Sequence, residues 1–207
     1  PATPPGYIVV GLENAPITLD PRFATDATAA QIGDLLFDGL TRLDNQSRRL
    51  PHLAASWETP DDRTYVFHLQ KGFRFADGQP LTAADVQATY DSVRDARSQS
   101  PKRQALEPIA AIDVPDPLTV RFHLREPFAP FLDETGLGIL SARQIATAPA
   151  RPLAWPSGSG PFHLTEFSLD ERVVAVRNDS YPLGRPALAG VIFKVVPDAV
   201  SRLLELK

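Results

Sequence analysis

The residues that could do chemistry in this 207-residue chain are few and poorly spaced for it. The histidines are His52, His68, His123 and His163, and no two stand at the short intervals that let one element present two imidazoles to a metal. Ser157 and Ser159 sit in the order Pro-Ser-Gly-Ser-Gly-Pro, not in the Gly-x-Ser-x-Gly elbow that exposes a nucleophilic serine. Gly158 and Gly160 lack the following Gly-Lys-Ser/Thr of a phosphate loop. Asp61-Asp62 and Asp133-Glu134 are sequence neighbours, and neighbouring side chains diverge, so neither makes an acid/base pair. Cysteine is absent, which removes thiolate metal sites, disulfides and cysteine nucleophiles. These residues predict no catalysis, no metal site and no cofactor.

The length allows one large domain or two small ones. Hydrophobic residues are 43% and charged residues 22%, an ordinary globular balance, and the net charge of -4 argues against a nucleic-acid partner. The 21 prolines argue against a helical bundle, because interior proline breaks the helical ladder. No apolar run reaches membrane-spanning length. The chain lacks methionine, so we expect it to be processed or cut from something longer, with Pro1-Ala-Thr-Pro-Pro5 a leader left after a removed signal segment.

The elements that must position any site centre on Tyr65 to Val93. Tyr65, Phe67 and Leu69 alternate with Val66 and His68, the period of a strand with one buried face. Phe73-Arg74-Phe75 resumes the alternation after Lys71-Gly72 and reads as the second arm of a hairpin. Ala76-Asp77-Gly78 is a turn, and Thr82 three residues before Asp85 reads as a capping box. Val86, Tyr90 and Val93 then form a helical stripe.

Before this stretch, Tyr7 to Leu12 reads as a buried strand, and Leu19-Asp20-Pro21 as an extended or turn element. Thr25 or Asp26 can cap a helix whose inner face is Ile32, Leu35, Leu36 and Leu40 and whose end is Gly39. Arg48-Arg49 reads as a solvated pair, and Leu50 to Trp57 as an apolar turn-and-helix piece. After it come strands at Ile109 to Val114 and Leu118 to Arg125, irregular structure toward Arg143, and a proline-rich connector from Ala148 to Pro156. A turn shaped by Gly158 and Gly160 follows, then a hairpin of Phe162 to Phe167 with Arg172 to Arg177, and a strand at Val191 to Val196. Asp198 caps a last helix in whose pattern Lys207 falls, with no stop signal.

The segment from Phe73 to Val86, FRFADGQPLTAADV, resembles the F-x-D-G-x-P-x-T-A-x-D-V signature of the bacterial extracellular solute-binding proteins of family 5, the peptide, dipeptide and nickel-binding receptors of ABC transporters. The resemblance runs in order along nearly the whole chain. It includes VGLENAPITLDPRFATDATAAQIGDLLFDGLTRLD, the P-x-L-A-x-S-W element at Pro51, the Gly-Ser-Gly-Pro-Phe turn at Gly158 and the N-x-x-Y element at Asn178. Asp62 stands where the family usually has glycine, and Ala76 where many members have histidine.

The resemblance implies a mixed α/β fold of the periplasmic-binding-protein type II kind. Residues 1–49 and 154–207 would build the N-terminal lobe, residues 50–153 a β-rich subdomain inserted in it, and the second lobe would be absent. It implies a peptide or similar small solute held between two lobes, delivered to an ABC transporter membrane permease, with the missing C-terminal lobe as partner. The expected location is the periplasm, or a lipid anchor on the outer face of the cytoplasmic membrane. The family's contacts from this half align with Thr25, Asp26 and Ala27, whose main chain can pair with an extended peptide; capping by Thr25 and Asp26 is compatible with that role. The alternative is a sensory or interaction module of a regulator that reuses the same lobe.

Overall fold

Alternating apolar residues in the middle of the chain can bury one face only by pairing into a sheet, and they do. In the computed structural model, which describes residues 3–168 and 171–198, β4 (Ala54–Asp61), β5 (Thr64–Leu69), β6 (Ile109–Asp116) and β7 (Thr119–Leu124) form an antiparallel sheet in the order β4-β5-β7-β6. Here β1 (Tyr7–Leu12), α1 (Ala27–Leu36), β2 (Thr41–Leu43) and β3 (Arg49–Pro51) precede it. Phe67 pairs with Val120 and Tyr65 with Phe122, so their side chains share the inner face. Phe122 meets Phe67 edge-on at 5.8 Å between ring centroids and Tyr90 at 5.0 Å. Tyr90 comes from α2 (Ala83–Arg94), which lays Val86, Tyr90 and Val93 on the sheet as the spacing predicts. Its hydroxyl donates to the Glu134 carbonyl at 2.9 Å, which satisfies a polar group that is otherwise buried; burial pushes its pKa up.

The predicted hairpin partner of β5 is different. Residues 73–75 make no strand with β5; Arg74 bridges Pro80 across the Gly78 turn, where φ is +82°. Phe73 and Phe75 are buried all the same, so their alternation serves a folded-back loop rather than a sheet. Leu50 to Trp57 is also strand, not helix: β3 ends at Pro51 and β4 begins at Ala54.

A second sheet, ordered β1-β10-β9-β8, joins the first strand to the last ones: β8 (Phe162–Ser168), β9 (Arg172–Arg177) and β10 (Gly190–Val195). β1 lies parallel to β10 at the edge, so it is less buried than its β-branched run predicts; Ile8 and Val9 are exposed and Leu12 is covered. The helix α1 packs Ile32 and Leu36 into the core of this sheet, with Leu12, Val173 and Phe193. It ends at Leu36 with Phe37 as cap, before Gly39. Gly39 serves another purpose, since a side chain there would stand 2.6 Å from the Gly136 carbonyl oxygen. The predicted last helix, from Asp198 on, lies almost wholly outside the described residues.

Two short helices, α3 (Phe131–Glu134) and α4 (Ala142–Thr147), lie between the sheets. Asp85 joins α4 to α2. Its carboxylate accepts from the Thr82 N–H and hydroxyl, both at 2.8 Å, and from the Ala142 N–H at 2.9 Å, so one side chain caps two helix starts. Asp85→Ala strands these donors and is expected to lower the unfolding free energy by about 1–3 kcal/mol in urea titration. A pH effect is expected at His163 on β8, where burial pushes the pKa below its ordinary 6.5. The unfolded chain takes up this proton first, so stability fully present above pH 6.5 falls as pH drops below it. His163→Gln should flatten that part of the urea-midpoint profile between pH 7.5 and 5.5, values chosen about one unit either side of the histidine pKa.

Candidate ligand-binding cleft

Where α1 ends, three parts of the chain must meet, and glycine lets them. Gly158 is so close to the Leu36 carbonyl oxygen that a Cβ could not fit, and Gly160 donates its N–H to the same oxygen at 3.0 Å. Neither has a positive φ, so these glycines permit close approach to a helix end; the expected turn-shaping role is secondary. Ser159, between them, is thereby held against Asp38.

Asp38 is buried and accepts three hydrogen bonds from distant parts of the chain. Ser159 Oγ donates to Oδ2 at 2.8 Å, Tyr181 OH donates to Oδ1 at 2.7 Å, and His52 Nε2 lies 2.7 Å from Oδ1. The imidazole therefore carries its proton on Nε2. Serine, aspartate and histidine are together here, but in the wrong order for nucleophilic catalysis. Aspartate stands between the other two, so His52 is not placed to withdraw the Ser159 proton. His52 Nδ1 is buried with no hydrogen-bond partner among the described residues. Burial, with the Asp38 charge beside it, pushes the Tyr181 hydroxyl pKa up. The group is a lock between chain segments.

Over this lock lies an open cleft of about 910 Å³. One side is α1, with Ala29, Ala30, Gly33, Asp34 and Phe37; the other is β2 with Leu43, the Gly136–Gly138 segment, and Tyr181 and Leu183. Small residues on α1 leave the floor low. Charges inside are mixed. Arg49, predicted to be solvated, is tucked in: its Nη1 donates to Thr41 Oγ1 at 3.2 Å and its Nη2 to Asp133 Oδ1 at 3.1 Å, while Arg48 does stay exposed on Asp44. Burial pushes the Glu134 carboxyl up, with the Asp133 charge adding to it, and pushes the Lys102 ammonium down. Asp34 is raised by burial too.

The sequence-predicted site residues open α1. Asp26 is its N-cap, accepting from the Ala29 N–H at 2.7 Å and from the Ile17 N–H at 3.3 Å; Thr25 and Ala27 are exposed. The cleft lining includes Ala24 and Ala29, on either side of these three. The wall is anchored by the neighbouring Leu19-Asp20-Pro21 turn. Asp20 and Arg22 form a buried ion pair at 2.7 Å, Arg22 Nη2 donates to the Ala148 and Arg151 carbonyls, and Asp20 accepts from the Leu153 N–H. Lys102 Nζ donates to the Pro21 carbonyl at 2.7 Å. The sequence reading missed Asp38, Arg49 and Tyr181. Only Tyr181, within the N-x-x-Y element, carried any signal there.

The fold and this one-sided cleft are those of a single lobe of a solute-binding protein of the periplasmic type. The solved structure of the oligopeptide-binding protein AppA from Bacillus subtilis, in complex with a nonapeptide, superposes with a TM-score of 0.90 at 27% identity, covering 97% of this chain and 42% of that one. NikZ from Campylobacter jejuni, with Ni(L-His), shares the fold with a TM-score of 0.91 at 24% identity, over 99% of this chain and 42% of that one.

Residues 49–207 match the model of the bacterial extracellular solute-binding proteins, family 5, and the chain belongs to that family. The probable D,D-dipeptide-binding periplasmic protein DdpA of Escherichia coli K12 is 32% identical over 99% of this chain and 42% of its own length. The chain thus spans about two-fifths of the relatives it matches. These relatives are binding proteins.

Removing donors from Asp38 tests the lock. Tyr181→Phe and Ser159→Ala should each cost about 1.5–3 kcal/mol in chemical denaturation, as hydrogen bonds to a charged acceptor. The double variant should depart from the sum of the two, because both act on one carboxylate.

Proposed function

We propose that this chain is the N-terminal part of the extracytoplasmic solute-binding component of an ABC transporter, and that it provides one wall of a trap for a peptide or similar small solute. The observation that carries this is the open cleft of about 910 Å³, lined by residues of the lobe and of its inserted subdomain, in a chain that matches 42% of a receptor solved around a nonapeptide. Residues 1–49 and 154–207 form the lobe and 50–153 the inserted subdomain. Two features support that division: the sheet of β1 and β8–β10 draws on both ends of the chain, and the sheet of β4–β7 lies wholly between them. A second lobe, of the kind the longer relatives have room for, closes the trap by a hinge.

The main chain at Thr25, Asp26 and Ala27 meets the peptide backbone, giving affinity with little side-chain preference. The protein works in the periplasm or on a lipid anchor at the outer face of the cytoplasmic membrane, and it hands its solute to a membrane permease. Its role is binding rather than catalysis, a reading supported by the Ser159–Asp38–His52 order, which gives no activated serine.

Calorimetry with mixed di- to pentapeptides tests this reading on the chain and on the full-length gene product. The 207-residue chain should bind more weakly than about 1 mM and the full-length product at least tenfold more tightly, about 1.4 kcal/mol or more. No heat from the full-length product overturns the reading, and tight saturable binding by this chain shows that one wall suffices.

A further inference from the structure

The hairpin of β2 and β3 leaves one rung of its ladder open, at Leu43, a residue that lines the cleft. The register pairs Thr41 with Pro51, Arg42 with Leu50 and Leu43 with Arg49. Bonds just outside the hairpin strands settle which residues point at each other. His52 donates its N–H to the Leu40 carbonyl at 3.2 Å, and Asp44 donates its N–H to the Arg48 carbonyl at 3.0 Å. In an antiparallel pair, bonded and non-bonded positions alternate, so residues 40, 42 and 44 turn their amides toward β3. Thr41 and Leu43 turn theirs away. The Thr41 N–H is taken by the Thr135 carbonyl at 3.1 Å. The N–H and C=O of Leu43 have no hydrogen-bond partner among the described residues. Leu43 lines the cleft and is 54% exposed, and Leu183, also in the lining, is 45% exposed.

The geometry points to the outer edge of β2 at Leu43 as a second main-chain anchor for an extended peptide in the cleft. This rests on the reading of the cleft as a peptide trap. One donor and one acceptor, spaced as in a strand, match the amide of any extended peptide and demand nothing of its side chains. The exposed apolar side chains of Leu43 and Leu183, both in the cleft lining, offer cover to an aliphatic residue of the ligand. A second copy of this chain fits the rung poorly. The open edge is one residue long, bounded by the Thr41–Thr135 bond on one side and the Asp44 turn on the other, and it lies on a concave wall that an equivalent edge cannot enter.

The test is amide NMR on the 207-residue chain with N-acetyl-trialanine amide, which has no terminal charges, and with its analogue N-methylated at the central residue. The unmodified peptide should move the Leu43 amide proton downfield and slow its exchange about threefold at twice the dissociation constant. The N-methylated peptide should do neither. Leu43→Pro removes the outward N–H, which an edge strand tolerates, and should weaken the shifts that the unmodified peptide causes at Leu183 and Leu137.

Shifts elsewhere in the cleft with the Leu43 amide unmoved would overturn the anchor and leave the peptide trap standing. Equal effects of both peptides would also overturn it. A Leu43 amide that moves on dilution without peptide would identify a second copy as the occupant and overturn it. If no cleft amide moves, the anchor falls, while the peptide trap is decided separately by calorimetry on the full-length product.

Discussion

A single buried carboxylate holds this molecule's cleft in shape. Asp38 leaves water just after α1 ends, and its charge is tolerable there because Ser159, Tyr181 and His52 all bond to it. Each of these comes from a different part of the chain. His52 lies at the entry to the first sheet, Ser159 at the entry to the second, and Tyr181 between the last two strands. Losing one partner leaves a buried charge one donor short. The cooperative cost of misplacing any of the three segments is therefore larger than one hydrogen bond suggests.

The floor of the cleft follows from that arrangement. Gly158 and Gly160 bring the 158–160 segment onto the carbonyl of Leu36, so the end of α1 is fixed from both sides. With the helix end fixed, Ala30 and Gly33 present little bulk to the open cleft, while Ala29 is buried beneath them. On the opposite wall Arg49 is held by Thr41 and Asp133, which keeps a cation inside a concave surface without leaving it free. A second buried pair, Asp20 with Arg22, fastens the start of the α1 wall to the connector at residues 148–153. The cleft is therefore rigid at its base, and polar groups at its rim remain available.

Much of the fold was legible because local patterns and tertiary demands agree. The stripe of Val86, Tyr90 and Val93 and the capping box of Thr82 and Asp85 appear where the spacing puts them. The alternation of Val120, Phe122 and Leu124 survives intact in β7. Errors occurred where apolar spacing is compatible with more than one shape. Phe73 and Phe75 alternate like a strand but are buried by a loop that folds back on Pro80. Leu50 to Trp57 carries mixed apolar signals that sheet pairing turned into β3 and β4. Arg49 looks like its neighbour Arg48, and only the approach of Asp133, far along the chain, separates them.

The sequence alone determined the mixed α/β character, the main helix, the hairpins of β6 with β7 and of β8 with β9, and the membership in a solute-binding family. These rest on short-range periodicity and on one long motif, both of which survive in any window of the chain. The tertiary structure alone decided which polar groups lose their water, that Asp38 and not the serine turn is the hub, and that Leu43 lines the cleft. Such facts depend on which distant segments come within about 3 Å of each other. No local rule encodes that distance, because it is set by how two sheets and a helix end pack together.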